Sequence, residues 1–111
     1  MSTKKIRISV NVLVEKELKL ANENFPLFNS SHEGYAVVRE EYKELKEAVG
    51  FLKFEMRYFE RYVFNNADGH DSAGNIEDYA IDAACEAIQL AAMCRKYRDS
   101  MKAIQAWKEK K

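Results

Sequence analysis

The chain has 111 residues, with 18 basic and 18 acidic side chains and a formal net charge of zero. That length holds one small domain around one core, and the charge balance argues against a nucleic-acid polymer as ligand, because such binders carry a basic excess. No apolar run approaches the roughly 20 residues of a membrane span, and the opening Met1-Ser2-Thr3-Lys4-Lys5 leads into no apolar signal region, so no membrane partner and a cytoplasmic location are expected.

Proline occurs once and glycine four times, so the chain has few breaks and long elements are expected. Ile8 to Asn24 reads as a helix. Its start is ambiguous, because Ile6-Arg7-Ile8-Ser9-Val10 alternates like a strand, and helix is preferred since no partner strand is evident. Phe25 to Ser31 reads as a connector, and Ser30 with Glu33 offers a capping box that opens the next helix. That helix spans about Ser31 to Val49, with Gly50 as a break or bend before a second, aromatic-rich stretch, Phe51 to Phe64. Asn65 to Gly74 reads as a loop. Asn75 is the expected cap of the third long helix, with Glu77 and Asp78 in its first turn, where the helix dipole favours anions. That helix reaches Tyr97 or beyond, and an amphipathic tail from Asp99 to Lys111 closes the chain.

Between Tyr79 and Cys94 the third helix is almost wholly apolar, which predicts a buried element. Three polar residues interrupt it. At about 100° per residue, Asp82, Glu86 and Gln89 fall within roughly 60° of one another, one polar stripe on an apolar cylinder. Buried carboxylates are costly unless paired or bound to a metal. Upstream, Glu40-Glu41-Tyr42-Lys43-Glu44 forms a second acidic cluster. Glu41 shares a side with Val37, Val38, Leu45, Ala48 and Leu52, so it lies within the apolar face. Glu44 sits at that face's edge, about 60° away. Arg39, Lys43 and Lys46 take the far side. Glu40 lies further out, as a ligand, a partner of a ligand or a solvated residue.

Each cluster has a plainer reading: a solvated helix face upstream, and downstream a buried polar seam paired with a neighbouring Lys or Arg. Together, however, Glu41, Glu44, Asp82 and Glu86 offer the oxygen-rich set that suits a hard cation such as magnesium or manganese. Magnesium keeps waters and substrate phosphates among its ligands, so such a set points to phosphate chemistry. By charge, Lys53, Arg57, Arg61, Arg95 and Arg98 are either phosphate contacts or surface residues, and His32 either a capping or surface histidine or a substrate contact. His70 is expected in solvent. Cys85 and Cys94 lie nine residues apart, about 13 Å along a helix, too far to pair, and read as small buried apolar residues.

Phe25-Pro26-x-Phe28-Asn29-Ser30-x-His32-Glu33-Gly34-Tyr35-Ala36-Val37, running into Glu40-Glu41-x-x-Glu44-Leu45, resembles phage and bacterial members of the all-α nucleoside triphosphate pyrophosphatase superfamily, the MazG-like group. Glu86-Ala87-Ile88-Gln89-Leu90-Ala91-Ala92-Met93 resembles the second helix motif of the same proteins. The resemblance covers roughly residues 11 to 98. It implies a single all-α domain over 1–111, an antiparallel bundle of three main helices plus a shorter piece, with the metal-site core at about 31–98. It also implies magnesium-dependent hydrolysis of a nucleoside triphosphate to monophosphate and pyrophosphate, with Mn2+ as an alternative ion. The implied ligands are Glu41, Glu44 and Glu86; the stripe adds Asp82 and Gln89. Glu40, or an unbound oxygen of a ligand carboxylate, is the expected proton acceptor, and His32, Lys53, Arg57 and Arg95 the expected substrate contacts.

Two departures stand out. Gln89 occupies a place where the superfamily often has Asp, so it offers a carbonyl but no charge, and Asp82, one turn earlier, can compensate. The stretch between the motifs is also long. The alternative reading is a catalytically degenerate helical interaction protein of the same fold, and deoxyuridine triphosphate or phosphoribosyl-ATP are alternative substrates. The aromatic stretch and the apolar third helix offer more surface than one small bundle buries, so a homodimer or homotetramer is expected.

Overall fold

The computed structural model describes residues 3–110. Three helices make up nearly all of it: α1 (Thr3–Asn24), α2 (Ser31–Phe64) and α3 (His70–Glu109). The ambiguous start of α1 is helical from Thr3. The described residues form no strand, and no helix among them is long and apolar enough to cross a membrane.

The capping motif holds. Ser30 Oγ accepts from the Glu33 N–H at 3.1 Å, and the Glu33 carboxylate reaches back to the Asn29 N–H at 3.2 Å. Gly50 does not break α2, which runs through it for 34 residues. The stop comes at Asn65-Asn66, where Asn66 takes a left-handed φ of 57°, a conformation Asn tolerates better than most residues. Helix α3 then begins at His70, ahead of the expected cap, and Asp68 Oδ1 accepts from the His70 N–H at 3.0 Å. Asn75 is inside the helix and donates instead to Glu55 Oε1 of α2 at 3.1 Å. The amphipathic tail is no separate fourth piece but the last turns of the 40-residue α3.

Helices α2 and α3 form an antiparallel hairpin. Its pairing is fixed by Glu55 with Asn75, by Phe51 stacked on Tyr79 at 5.6 Å, and by the Phe28 N–H donating to Ser100 Oγ at 2.9 Å. The facing residues recur at alternating steps of four and three. On α2 they are Gly34, Val38, Glu41, Leu45, Ala48, Leu52, Glu55 and Phe59, and on α3 Ser72, Ile76, Tyr79, Ala83, Glu86, Leu90, Met93, Tyr97 and Ser100, all buried or half-buried. That is the 3.5-residue repeat of a coiled-coil seam, with Glu41 and Glu86 as polar positions within it.

Helix α1 packs on α3 rather than along α2. Val14 meets Phe28, Ala92 and Met93, with Leu18, Ala21, Val37, Ile88 and Tyr97 around them. Ser100 is fully buried and also donates to the Lys96 carbonyl at 2.7 Å, while the Lys96 ammonium lies 4.9 Å from the centre of the Phe28 ring, a cation–π contact. These bonds pin the α1–α2 connector to α3. A Cβ on Gly34 would lie 2.6 Å from Tyr97 Cδ2 and 2.9 Å from Phe28 Cδ2. Gly34→Ala is therefore expected to destabilise the fold by about 1–3 kcal/mol, since overpacking outweighs the gain of about 1 kcal/mol in helix propensity. Urea melts of the two proteins measure it.

Two expectations need correction. The third helix is not buried all round: Ile81 is exposed, and so are Cys85 and Cys94, both free thiols. The reason is geometric. Only α2 and the end of α1 cover α3, and much of its perimeter faces solvent within a single chain.

Candidate functional site

The seam places Glu41 on α2 opposite Glu86 on α3, and Glu44 stands one turn on from Glu41, at the seam's edge. One carboxylate oxygen from each of Glu41, Glu44 and Glu86 lies within 4.8 Å of the others. Glu41 and Glu86 are half-buried and Glu44 is exposed. Glu41 Oε2 and Glu86 Oε2 are buried with no hydrogen-bond partner, a costly state for carboxylate oxygens that nothing neutralises.

Burial is the first cause that pushes the Glu41 carboxyl above its ordinary 4.5. The charges of Glu44 and Glu86 add to it, as do a hydrogen bond with Glu44 that needs a proton and the charge of Glu17 on α1. Burial also leads for Glu86, followed by hydrogen bonding to Glu44, the Glu44 charge and that of Asp82. Three like charges meeting at one point resist joint ionisation. A divalent cation would remove that conflict, and three convergent carboxylates, two of them with a buried unpartnered oxygen, suit a hard oxygen-seeking ion.

Beside the trio opens a cleft of about 330 Å3, lined by Glu44, Glu47, Ala48, Phe51, Tyr79, Asp82, Cys85 and Glu86. The Phe51–Tyr79 stack, with rings 22° apart, forms its aromatic wall. No Lys or Arg lines it. A larger cavity of about 610 Å3 lies near the far end of the hairpin, between the α1–α2 connector and Trp107, and carries no carboxylate.

The other candidate residues are distributed as follows. Asp82 lines the cleft at its exposed rim, next to the trio. Gln89 is half-buried and outside the cleft, adjacent to Ile88 of the α1-facing core. Glu40 is exposed and lines no part of the cleft. His32, Lys53 and Arg57 are exposed, Arg95 is half-buried, and none of the four lines it. Sequence reasoning missed Glu47, which i, i+3 spacing from Glu44 would have flagged. It also missed Glu17, whose proximity to Glu41 depends on α1 docking and leaves no trace in the α2 or α3 patterns.

Compared with known proteins, the chain matches no family model, no curated protein and no solved structure. The fold and site define a class in physical terms: an all-α chain whose long antiparallel hairpin carries a three-carboxylate cluster in its seam.

Proposed function

We propose that this chain is a divalent-metal-dependent nucleoside triphosphate pyrophosphohydrolase of the MazG-like kind, releasing nucleoside monophosphate and pyrophosphate. The observation that carries the reading is the convergence of Glu41, Glu44 and Glu86 from two helices, with two buried oxygens left unpartnered. The sequence resemblance supports it independently. The cleft is lined by Glu44, Glu47, Asp82 and Glu86 and by no basic residue, so it would receive a polyphosphate only together with its cations.

Glu41, Glu44 and Glu86 would hold Mg2+ or Mn2+. When bound, such an ion offsets charge on phosphoryl oxygens and lowers the pKa of a bound water. The chain's own residues do the rest. Glu47 and Asp82 line the cleft outside the trio and are the carboxylates that would take a proton from a water attacking there. Exposed Glu40 is less well placed for that role. The Phe51–Tyr79 wall offers a flat apolar surface on which a nucleobase can stack. A pyrophosphate-release screen over common ribo- and deoxynucleoside triphosphates, with Mg2+ and with Mn2+, tests the activity. Turnover of at least one of them is expected, and none with either ion would refute it.

Asp82 contributes rim charge to the same site. Asp82→Asn is expected to weaken Mn2+ binding about tenfold, roughly 1.4 kcal/mol. Gln89→Asp, outside the cleft, is expected not to restore it in that background. Metal titrations of the parent, the single variant and the double variant read both effects.

The second reading, a non-catalytic interaction protein of the same fold, draws on Gln89 and on the absence of basic residues lining the cleft. It predicts metal binding without pyrophosphate release.

A further inference from the structure

Helix α3 runs on past the start of α2. Ser100 is level with Phe28 of the connector, α2 begins only at Ser31, and α3 continues to Glu109, about 13 Å further along its axis. The seam spacing continues with it. Ser100 is followed by Ile104 and Trp107, again at steps of four and three. These two positions lie beyond the end of α2, so the connector takes the place of a partner helix. A connector fills less space than a helix, and the cavity of about 610 Å3 opens between it and the last turns of α3.

Small-molecule sites measure about 300–1,000 Å3 and join apolar walls to a few placed polar groups. This cavity has that make-up. Leu27, Met101, Ile104 and Trp107 give apolar surface, and Asn29 and Ser31 of the opposite wall add amide and hydroxyl groups. Lys108 is the one charged residue that lines it. The adjacent Glu109 lines no part of it and accepts from Gln105 Nε2 at 3.4 Å instead. The charge is therefore opposite in sign to that of the acid cleft. The two are also far apart, since Met101 and Glu86 are separated by about 22 Å along α3.

We propose that this cavity binds a small organic anion, with a flat apolar ring packed on the Trp107 indole and a carboxylate or phosphate paired with the Lys108 ammonium. The indole is 58% exposed in the chain alone, and covering it with a ring removes apolar surface from water on both sides. Lys108 fixes which end of the ligand enters, and the Ser31 hydroxyl and Asn29 amide can donate to the remaining anionic oxygens. The anion enters without a metal, because no carboxylate lines the cavity to share a cation with it. An acidic peptide fits less well, since one lysine answers only one of its charges. The site is independent of the metal-dependent reaction proposed above.

Trp107 is the only tryptophan of the chain, so its indole N–H resonance reports on this cavity alone. Metal-free, nitrogen-labelled protein is titrated with phenylpropionate, phenyl phosphate, the neutral phenylpropionamide and inorganic phosphate. A ring anion is expected to shift the resonance saturably, with a dissociation constant of about 1 mM or below. The amide should bind about fivefold more weakly, and inorganic phosphate should leave the resonance in place. Whichever ring anion binds more tightly identifies the head group. Lys108→Gln should bring the ring anions down to the affinity of the amide. Ala103→Phe, which fills the cavity from a half-buried position on its wall, should abolish the shift, and circular dichroism of both variants should match the parent. The proposal is overturned by no shift with either ring anion at about 10 mM, by an amide or inorganic phosphate that binds as tightly as the ring anions, or by shifts unaltered in both variants. It is equally overturned by a resonance that moves on dilution and not with the anions, which would assign the cavity to another copy of the chain.

Discussion

Glu41→Gln and Glu86→Gln are each expected to lower kcat/KM by about 1,000-fold, roughly 4 kcal/mol of transition-state stabilisation, and the double variant to lose little more. The two carboxylates come from different helices yet meet at one point together with Glu44. Groups that hold one ion act as a unit, and removing either removes most of what both supply. Losses that multiply would instead assign each carboxylate a separate role. Glu40→Gln is the matched control, because Glu40 is exposed and outside the cleft. It should cost much less than Glu47→Gln.

The metal-free protein is expected to lose stability as pH rises from about 4.5 towards neutrality, and to regain it with metal. Glu41 and Glu86 both have raised pKa values in the folded state, with burial as the leading cause. Below 4.5 both are protonated whether the chain is folded or not, and they cost nothing. Above it the unfolded chain ionises freely while the folded chain resists, so stability falls until the pH passes the raised values. Glu41→Gln and Glu86→Gln remove that slope and should melt several degrees higher than the metal-free parent at neutral pH, because the buried charge is gone. Metal at about a hundred times its dissociation constant adds about 2.7 kcal/mol, an increase of about 10 °C or more for a domain near this size. Melting curves of parent and variants at pH 5 and at neutral pH, with and without Mg2+, read each effect.

The meeting of Glu41, Glu44 and Glu86 was largely legible from periodicity. Glu41 falls on the apolar side of its helix with Val38, Leu45 and Leu52, and the structure puts it in the seam with them. Asp82, Glu86 and Gln89 do form one stripe, yet a stripe roughly 60° wide spans two lines of a coiled coil. Glu86 is in the seam, Asp82 reaches the cleft and Gln89 lies outside it. Asp82 and Gln89, seven residues apart, share one line beside the seam and differ in their level along it; what stands at each level depends on the neighbouring helices, which a helical wheel does not contain.

The boundaries were harder for a similar reason. Asp71-Ser72-Ala73-Gly74-Asn75 carries loop chemistry, but Ser72 and Ile76 pack in the seam and Asn75 donates to Glu55. Tertiary packing there overrides weak local propensity. Gly50 is a poor helix residue among good ones, and its neighbours Ala48 and Leu52 both face α3, so the helix continues through it. The apolar perimeter of α3 signalled burial, but α2 and α1 cover only part of it, and Ile81 stays exposed.

Calorimetric titration of Mn2+ into the metal-free parent and into Glu86→Gln at neutral pH tests the carboxylate site most directly. Saturable binding to the parent is expected, with little or no binding to Glu86→Gln. Equal heats in the two proteins, or no saturable binding to the parent at millimolar metal, would contradict it.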